Sequence, residues 1–158
     1  MFKTIIWATD GSESADRALP YVKDLAQEDE ATVLVVHCVE YVMGPRSGGV
    51  TVHADEDELQ AKVAGQVAEL KEAGIDAEEK TVGGSTLEGP AQRIANVARD
   101  AGAELIVAGT RGHTPFAGLL LGSVTERLMH VAPCPVLAVP SVRGGKGEQS
   151  ETTAAATA

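Results

Sequence analysis

The stretch Leu105-Ile-Val-Ala-Gly-Thr-Arg-Gly112 is followed by nine residues and then by Gly122-Ser-Val-Thr125. Its first four residues are an apolar run typical of a buried strand, and Val124, Leu128 and Val131 recur afterwards at helical spacing. We therefore expect the chain to leave a strand, pass through a glycine-rich segment and enter a helix. Glycines let a ligand approach the backbone closely, and the free N–H groups of a helix start attract anions. The stretch predicts a site for phosphate groups.

Four further strands are predicted on either side of this stretch. Continuous β-rich runs are typical of strands covered on both faces, whereas an alternating run indicates an edge strand. The predicted strands are Thr4–Ala8, Thr32–Val39, the alternating run Asp76–Val82, and Pro135–Val139 at the end of the domain.

Apolar residues at helical spacing predict a helix between each pair of successive strands. In the first helix, Ser12 or Ser14 is the candidate N-cap. Pro20 is expected to kink that helix rather than end it, because the apolar pattern continues beyond it. The second helix carries Leu59 to Leu70, the third runs from Pro90 to Gly102, and the fourth follows Gly122.

The order βαβαβαβαβ predicts an α/β fold, a three-layer sandwich in which helices cover both faces of a mostly parallel five-stranded sheet. Tyr41–His53 is predicted as a glycine-rich loop. With 158 residues, we expect one domain over residues 1–140. Residues 141–158 are polar and small, which predicts a flexible tail that cannot bury enough surface to fold alone.

Charge and hydropathy limit the partners and the location of the protein. The net charge of −10 argues against binding to nucleic acid or to anionic membranes. No apolar run approaches the roughly 20 residues that span a bilayer, and the first residues lack the pattern of a secretory signal. Cys38 and Cys134 have no metal-ligand spacing and are interpreted as buried, reduced thiols. A cytoplasmic protein is expected.

A second group of polar residues follows the first predicted strand, in Ala8-Thr-Asp-Gly-Ser12. Ligands of open parallel sheets bind at the carboxyl ends of the strands, where the strand order reverses. If the first and fourth strands are neighbours there, Asp10 faces the phosphate site and can accept hydrogen bonds from a ribose or hold a metal. The alternative is that Asp10 only caps the first helix. His37, within a buried strand, is interpreted as a core residue.

These motifs together resemble the universal stress proteins. The resemblance rests on Ala8–Ser12, on His37, on the spacing Gly-x2-Gly-x9-Gly-Ser, and on the closing Pro133-Cys-Pro-Val-Leu-Ala-Val-Pro140, and it covers about residues 1–140. It implies a Rossmann-like fold of the adenine nucleotide alpha hydrolase type, with strand order 3-2-1-4-5. It also implies a homodimer formed through the C-terminal strand. The motif variant is similar to the branch of the family that binds ATP.

The resemblance also implies roles for individual residues. Ala8, Thr9 and Asp10 would line the adenosine end, and Val39 would lie beside the base. The glycine segment would run along the nucleotide with Ala108, Gly109, Arg111 and Gly112. The start of the fourth helix would hold the phosphates through Gly122, Ser123, Val124 and Thr125.

Few cations are available in the glycine segment to neutralise phosphates. Arg111 is its one permanent cation, since residues 113–121 contain no Lys or Arg. We therefore expect backbone N–H groups and Mg²⁺ or Mn²⁺ to meet the charge of ATP, with ADP or AMP as alternative ligands.

The expected function is a dimeric nucleotide-binding regulator of the stress response that acts on an unidentified protein partner. The chain has no Walker-type Gly-Lys-Ser/Thr sequence and no evident base to activate water, so no catalytic residue is predicted and fast turnover is not expected. Two alternatives stay open. One is a slow ATPase or phosphotransferase that uses Asp10 and a metal, and the other is an interaction module without nucleotide.

Overall fold

The computed structural model describes residues 1–39, 55–83, 88–111 and 121–141, and the backbone of residues 41–43 and 50–52. Strands and helices alternate along these residues. The strands are β1 (Thr4–Thr9), β2 (Thr32–Cys38), β3 (Tyr41–Met43), β4 (Val50–Val52), β5 (Ala77–Val82), β6 (Leu105–Gly109) and β7 (Val136–Val139). The helices are α1 (Glu13–Asp16), α2 (Leu19–Asp29), α3 (Glu56–Glu72), α4 (Pro90–Ala101) and α5 (Ser123–Val131).

Five of the strands form one parallel sheet in the order β5-β2-β1-β6-β7. Numbered by their sequence within this sheet, the strands follow 3-2-1-4-5, which confirms the predicted order. The chain moves from β1 outward to β2 and β5, and then crosses back to β6 on the other side of β1. The strand order therefore reverses between β1 and β6, whose ends lie side by side with Ala8 opposite Ala108.

Alternating residues of β1 belong to two separate hydrophobic clusters, one on each face of the sheet. Ile5 and Trp7 pack on one face with α2 and α3, whereas Ile6 and Ala8 pack on the other face with α4 and α5. The predicted three layers are confirmed by this division. Trp7 is fully buried, and its indole Nε1 donates a hydrogen bond to the Ala15 carbonyl of α1 at 3.3 Å.

The first predicted helix is two helices. α1 ends at Asp16 and α2 begins at Leu19, so the prediction that Pro20 kinks one continuous helix is wrong. Pro20 lies in the first turn of α2, where the missing proline N–H breaks no intrahelical hydrogen bond. Ser12 is the N-cap of α1, as one of the two predicted candidates, because its Oγ accepts from the Ala15 N–H at 3.3 Å.

The segment predicted as a loop over residues 41–53 is not a loop at its two ends. β3 and β4 pair antiparallel, with Tyr41 opposite Val52 and Met43 opposite Val50. Residues 44–49 and 53, like residues 142–158 of the predicted tail, lie outside the described residues.

The remaining helices agree with the predicted boundaries. α4 begins at Pro90 and ends at Ala101, and its C-cap Gly102 adopts the left-handed conformation (φ 60°) that favours glycine. None of the described helices has the length and hydrophobicity to cross a membrane. Cys38 and Cys134 are not joined in a disulfide, and they are half-buried rather than buried as predicted. Partial burial raises the pKa of the Cys134 thiol.

Candidate functional site

In the turn from β1 into α1, side chains accept hydrogen bonds from backbone N–H groups a few residues further along the chain. The Asp10 Oδ1 atom accepts from the Ser12 N–H at 2.9 Å, and the Thr9 Oγ1 atom accepts from the Gly11 N–H at 3.1 Å. Gly11 has a positive φ of 73°, and the Leu59 side chain occupies the place of a Cβ on it. The cap of α1 is Ser12, so the alternative in which Asp10 only caps that helix is wrong. Asp10 instead shapes the turn that precedes the cap.

The end of β6 lies directly against α1. A Cβ on Gly109 would come within 2.5 Å of the Ser14 carbonyl oxygen and 2.8 Å of the Ser14 Oγ. Gly109 is therefore needed for helix packing, whether or not it also contacts a ligand. The Ser14 Oγ accepts from the Arg111 N–H at 3.2 Å, so the buried Ser14 connects the two segments at the point of strand reversal.

Thr110, which sequence analysis did not single out, connects three parts of this edge. Its N–H donates to the Val139 carbonyl at 2.9 Å, its Oγ1 accepts from the Ser141 N–H at 3.2 Å, and its carbonyl accepts from the Gly122 N–H. The start of α5 is thereby tied to the ends of β6 and β7. A threonine in the sequence Gly-Thr-Arg-Gly gives no signal for such a role.

α5 begins without a side-chain cap. Its N-cap residue is Gly122, in extended backbone (φ −72°, ψ 152°), and no side chain of the described residues accepts from its first N–H groups. Ser123 is exposed and Val124 is half-buried. An α-helix leaves its first N–H groups without intrahelical partners, and together with the helix dipole they favour an anion.

Thr125 has a structural contact that limits its predicted role. Its buried hydroxyl donates to the Gly109 carbonyl at 2.7 Å. While that hydrogen bond is kept, the hydroxyl proton is not available to a phosphate oxygen, which is an acceptor. The backbone N–H of Thr125 is the group that remains suited to the predicted phosphate contact.

A cavity of about 330 Å³ lies between the starts of α4 and α5. It is lined by Glu88, Gly89, Pro90, Ala91, Gln92, Ser123, Val124 and Arg127. α4 resembles α5 in having a glycine N-cap, Gly89, without a side-chain cap. Arg127 supplies a cation to this cavity one helical turn after Ser123. Sequence analysis missed Arg127, although its spacing of four residues from Ser123 was a usable signal.

The adenosine end predicted by the resemblance lies at the carboxyl ends of β1 and β2. Ala8, Thr9 and Val39 are buried there, and Asp10 is half-buried. Val39 is held by its backbone, since its N–H donates to the Val82 carbonyl at 3.0 Å and its carbonyl accepts from Arg93 Nη1 at 3.1 Å. Ala108 and Gly109 end β6, and Arg111 follows them. Gly112 lies outside the described residues.

His37 is buried, as predicted, but it also makes two polar contacts near Asp10. Its Nδ1 lies 3.3 Å from the Thr9 carbonyl oxygen, and its Nε2 lies 2.9 Å from Glu56 Oε1. Glu56, the first residue of α3, is 7% exposed. An acidic first turn suits any helix dipole, so sequence analysis had no reason to pair this glutamate with His37.

Comparison with known proteins identifies the family to which the chain is similar. The family model of the universal stress proteins matches residues 1–140. Over 140 residues, the chain is 36% identical to the Thermus aquaticus universal stress protein in the QAH/OAS sulfhydrylase 3′ region. That alignment covers 88% of this chain and 99% of the relative.

Solved structures have the same fold. Protein MJ0577 of Methanocaldococcus jannaschii matches with a TM-score of 0.74 at 26% identity, covering 92% of this chain and 99% of that one. The Archaeoglobus fulgidus universal stress protein in complex with dAMP matches with a TM-score of 0.61 at 25% identity, over 88% and 98% of the chains. A universal stress protein in complex with cAMP matches with a TM-score of 0.62 at 26% identity, over 87% and 96%. The chain described here therefore belongs to the universal stress protein family.

Proposed function

We propose that this protein binds an adenine nucleotide, with ATP as its main ligand, at the carboxyl edge between β1 and β6. The observation that carries the proposal is the start of α5, which has a glycine N-cap and no cap from a described side chain. It is hydrogen-bonded to the end of β6 through Thr125 and Gly109, where the strand order reverses. The dAMP and cAMP complexes of structurally similar family members support an adenine nucleotide as the ligand.

Each end of the nucleotide would meet groups of matching chemistry. Ala8, Thr9 and Asp10 would hold the adenosine end with Val39 beside the base, and the Asp10 carboxylate is suited to accept from ribose hydroxyls. Ala108, Gly109, Arg111 and Gly112 would run along the nucleotide. The phosphates would lie on Gly122, Ser123, Val124 and Thr125, where backbone N–H groups donate to oxyanions.

The backbone N–H groups at the start of α5 are not sufficient to neutralise the negative charge of a triphosphate. Arg127 lines the cavity that Ser123 and Val124 also line, and it would add one cation beyond Arg111. In the described part of the chain, no three His, Cys, Asp or Glu side chains come together as a metal site. Mg²⁺ or Mn²⁺ would therefore be held mainly by the phosphate oxygens, since both metals prefer oxygen ligands.

We further propose that the protein is a homodimer formed through β7. The outer edge of β5 is charged, with Glu78, Glu79 and Lys80 exposed, which protects it from pairing with other chains. β7 carries the sequence Val-Leu-Ala-Val, and Leu137 is 37% exposed. An apolar edge of this kind is suited to antiparallel pairing with a second copy across a two-fold axis.

The dimer is tested by replacing an edge residue. Leu137→Lys places a charge on the β7 edge and should shift the protein from dimer to monomer in light scattering, whereas Tyr21→Lys, at another exposed hydrophobic residue, should not. A wild-type protein that stays monomeric at tens of micromolar would contradict the proposed dimer.

The bound nucleotide would control a cytoplasmic protein partner during stress. Isothermal titration calorimetry with ATP, ADP and AMP, each with and without Mg²⁺ or Mn²⁺, tests the ligand. ATP binding strengthened by the metal is the expected result. No binding of any of the three would favour the interaction module, and single-turnover release of phosphate would favour the slow ATPase.

A further inference from the structure

A chain of buried hydrogen bonds joins the end of β1 to the start of α3. The His37 ring stands between the Thr9 carbonyl, 3.3 Å from Nδ1, and Glu56 Oε1, 2.9 Å from Nε2. Gln60, one turn further along α3, donates from its Nε2 to the same Glu56 oxygen at 3.0 Å. His37 is 3% and Glu56 7% exposed, so water does not readily replace these contacts.

The two ring nitrogens of His37 both face oxygen atoms. A carbonyl can only accept, so the contact with Thr9 requires a proton on Nδ1. The contact with Glu56 then requires a proton either on Nε2 or on the carboxyl group. Either arrangement leaves His37 and Glu56 together without net charge, which reduces the cost of burying them.

The contact with Thr9 fixes the backbone that leads into the proposed site. The Thr9 carbonyl belongs to the peptide plane of the Thr9–Asp10 bond, and that plane sets the direction in which Asp10 leaves β1. α3 also holds the rest of this turn from outside. Lys62 Nζ donates to the Gly11 carbonyl at 2.6 Å and to Asp16 Oδ2 at 2.6 Å.

We propose that His37 and Glu56 are positioning residues for the nucleotide, because they hold the Thr9–Asp10 peptide plane in the orientation that presents Asp10 to the ligand. This inference rests on the proposed function and adds to it a contact that reaches the site through another residue. Neither side chain is assigned to the ligand itself. Through the hydrogen bond between His37 and Glu56, the start of α3 would influence the affinity for the nucleotide.

The test compares substitutions of Glu56 by calorimetry with ATP and Mg²⁺ and by chemical denaturation followed by circular dichroism. Glu56→Ala removes the partner of Nε2 and should weaken ATP binding about tenfold. Glu56→Gln should restore affinity to within about twofold of wild type. Its amide can donate to Nε2 of a neutral ring, so the ring keeps its proton on Nδ1 for Thr9. Glu58→Gln, an exposed neutralisation in the same turn of α3, is the matched control and should change nothing.

A second pair of variants covers the case in which Glu56→Ala fails to fold. His37→Asn keeps a donor near the Nδ1 position and should hold Thr9 and retain ATP affinity better than His37→Gln, whose amide extends toward Glu56 instead. Equal affinities in both pairs would overturn the positioning role while leaving the proposed function intact. A Glu56→Gln protein as weak as Glu56→Ala would also overturn it. A wild-type protein that binds no nucleotide would overturn the proposed function and this inference together.

Discussion

The β1–α1 turn and the start of α5, which follow the two strands where the strand order reverses, differ in how their backbone N–H groups are hydrogen-bonded. In the β1–α1 turn, side chains of Thr9, Asp10 and Ser12 accept from the backbone N–H groups that follow them. At the start of α5, no described side chain caps the helix, and its N-cap is a glycine.

The β1–α1 turn is therefore stabilised by its own side chains, whereas the start of α5 leaves backbone N–H donors for another molecule. A glycine N-cap gives up only a few tenths of a kcal/mol of the stability that Ser, Asp or Asn would supply. Such a start is retained at low cost where an anion takes the place of the cap. We therefore expect substitutions in the turn to change mainly stability, and those at α5 to change mainly affinity, with Asp10 contributing to both.

The largest effect is expected at the point where the two segments touch. Gly109→Ala should lower the free energy of unfolding by about 3 kcal/mol, because its Cβ would lie 2.5 Å from the backbone of Ser14. Gly65→Ala is the control. Gly65 lies in α3 with nothing within 4 Å of an added Cβ, and alanine there should stabilise the helix by about 0.5–1 kcal/mol. Equal unfolding midpoints for both variants in urea would show that α1 does not press on β6.

Asp10 is expected to give the largest effect on binding. Asp10→Ala removes a contact between ligand and charged group and should weaken ATP binding by roughly ten- to a hundredfold in calorimetry. It also removes the acceptor of the Ser12 N–H, whereas Asp10→Asn keeps that oxygen and should retain wild-type stability. If Asp10→Ala melts early but binds ATP normally at low temperature, Asp10 serves the turn alone.

A substitution of Gly122 tests whether the start of α5 binds the phosphates. Gly122→Val should weaken ATP binding about tenfold, about 1.4 kcal/mol, because a side chain would stand where phosphate and backbone meet. Gly65→Val is the control, since Gly65 lies in α3 on the opposite face of the sheet with nothing within 4 Å of an added Cβ. Only the Gly122 variant should lose ATP affinity. Equal affinity for wild type and Gly122→Val would remove α5 from the site.

Substitutions of Ser12 and Ser123 should have opposite effects on stability and on ATP affinity. Ser12→Ala should destabilise the protein by about 1 kcal/mol in urea denaturation and leave ATP affinity unchanged, because its hydroxyl caps α1. Ser123→Ala should leave stability unchanged and reduce affinity, since this exposed hydroxyl caps no helix. The reverse outcome would mean that the assignment of the two segments is wrong.

Arg127 is expected to give the smallest effect. Arg127→Gln should weaken ATP binding about threefold, as expected for a solvent-exposed ionic contact. AMP binding should be unaffected if the cation meets only the outer phosphates. Lys71→Gln, which removes the same charge from α3 on the opposite face of the sheet, is the control. A loss of ATP affinity with Lys71→Gln as large as that with Arg127→Gln would indicate a general charge effect.

The sequence predicted the features that depend on local pattern. Asp10 and Gly122 could be placed at one edge because the carboxyl ends of parallel strands share that edge. Pro20 was misread because a proline in a first helical turn and a proline within a kinked helix have the same apolar pattern around them. The contact of Ser14 with Gly109 could not be predicted, nor could that of His37 with Glu56. Each joins residues far apart in the chain whose types are common in other roles.

The buried indole of Trp7 gives the protein an intrinsic optical reporter. Trp7 is the single tryptophan of the chain, and it lies one residue before Ala8 with its N–H bound to α1. Its fluorescence therefore comes from one environment next to the β1–α1 turn, without interference from a second indole. A ligand that shifts α1 would change the emission maximum or intensity, and unfolding would move the maximum to longer wavelength. The protein can thus be followed without a label, in the same titration, for both occupancy and folding.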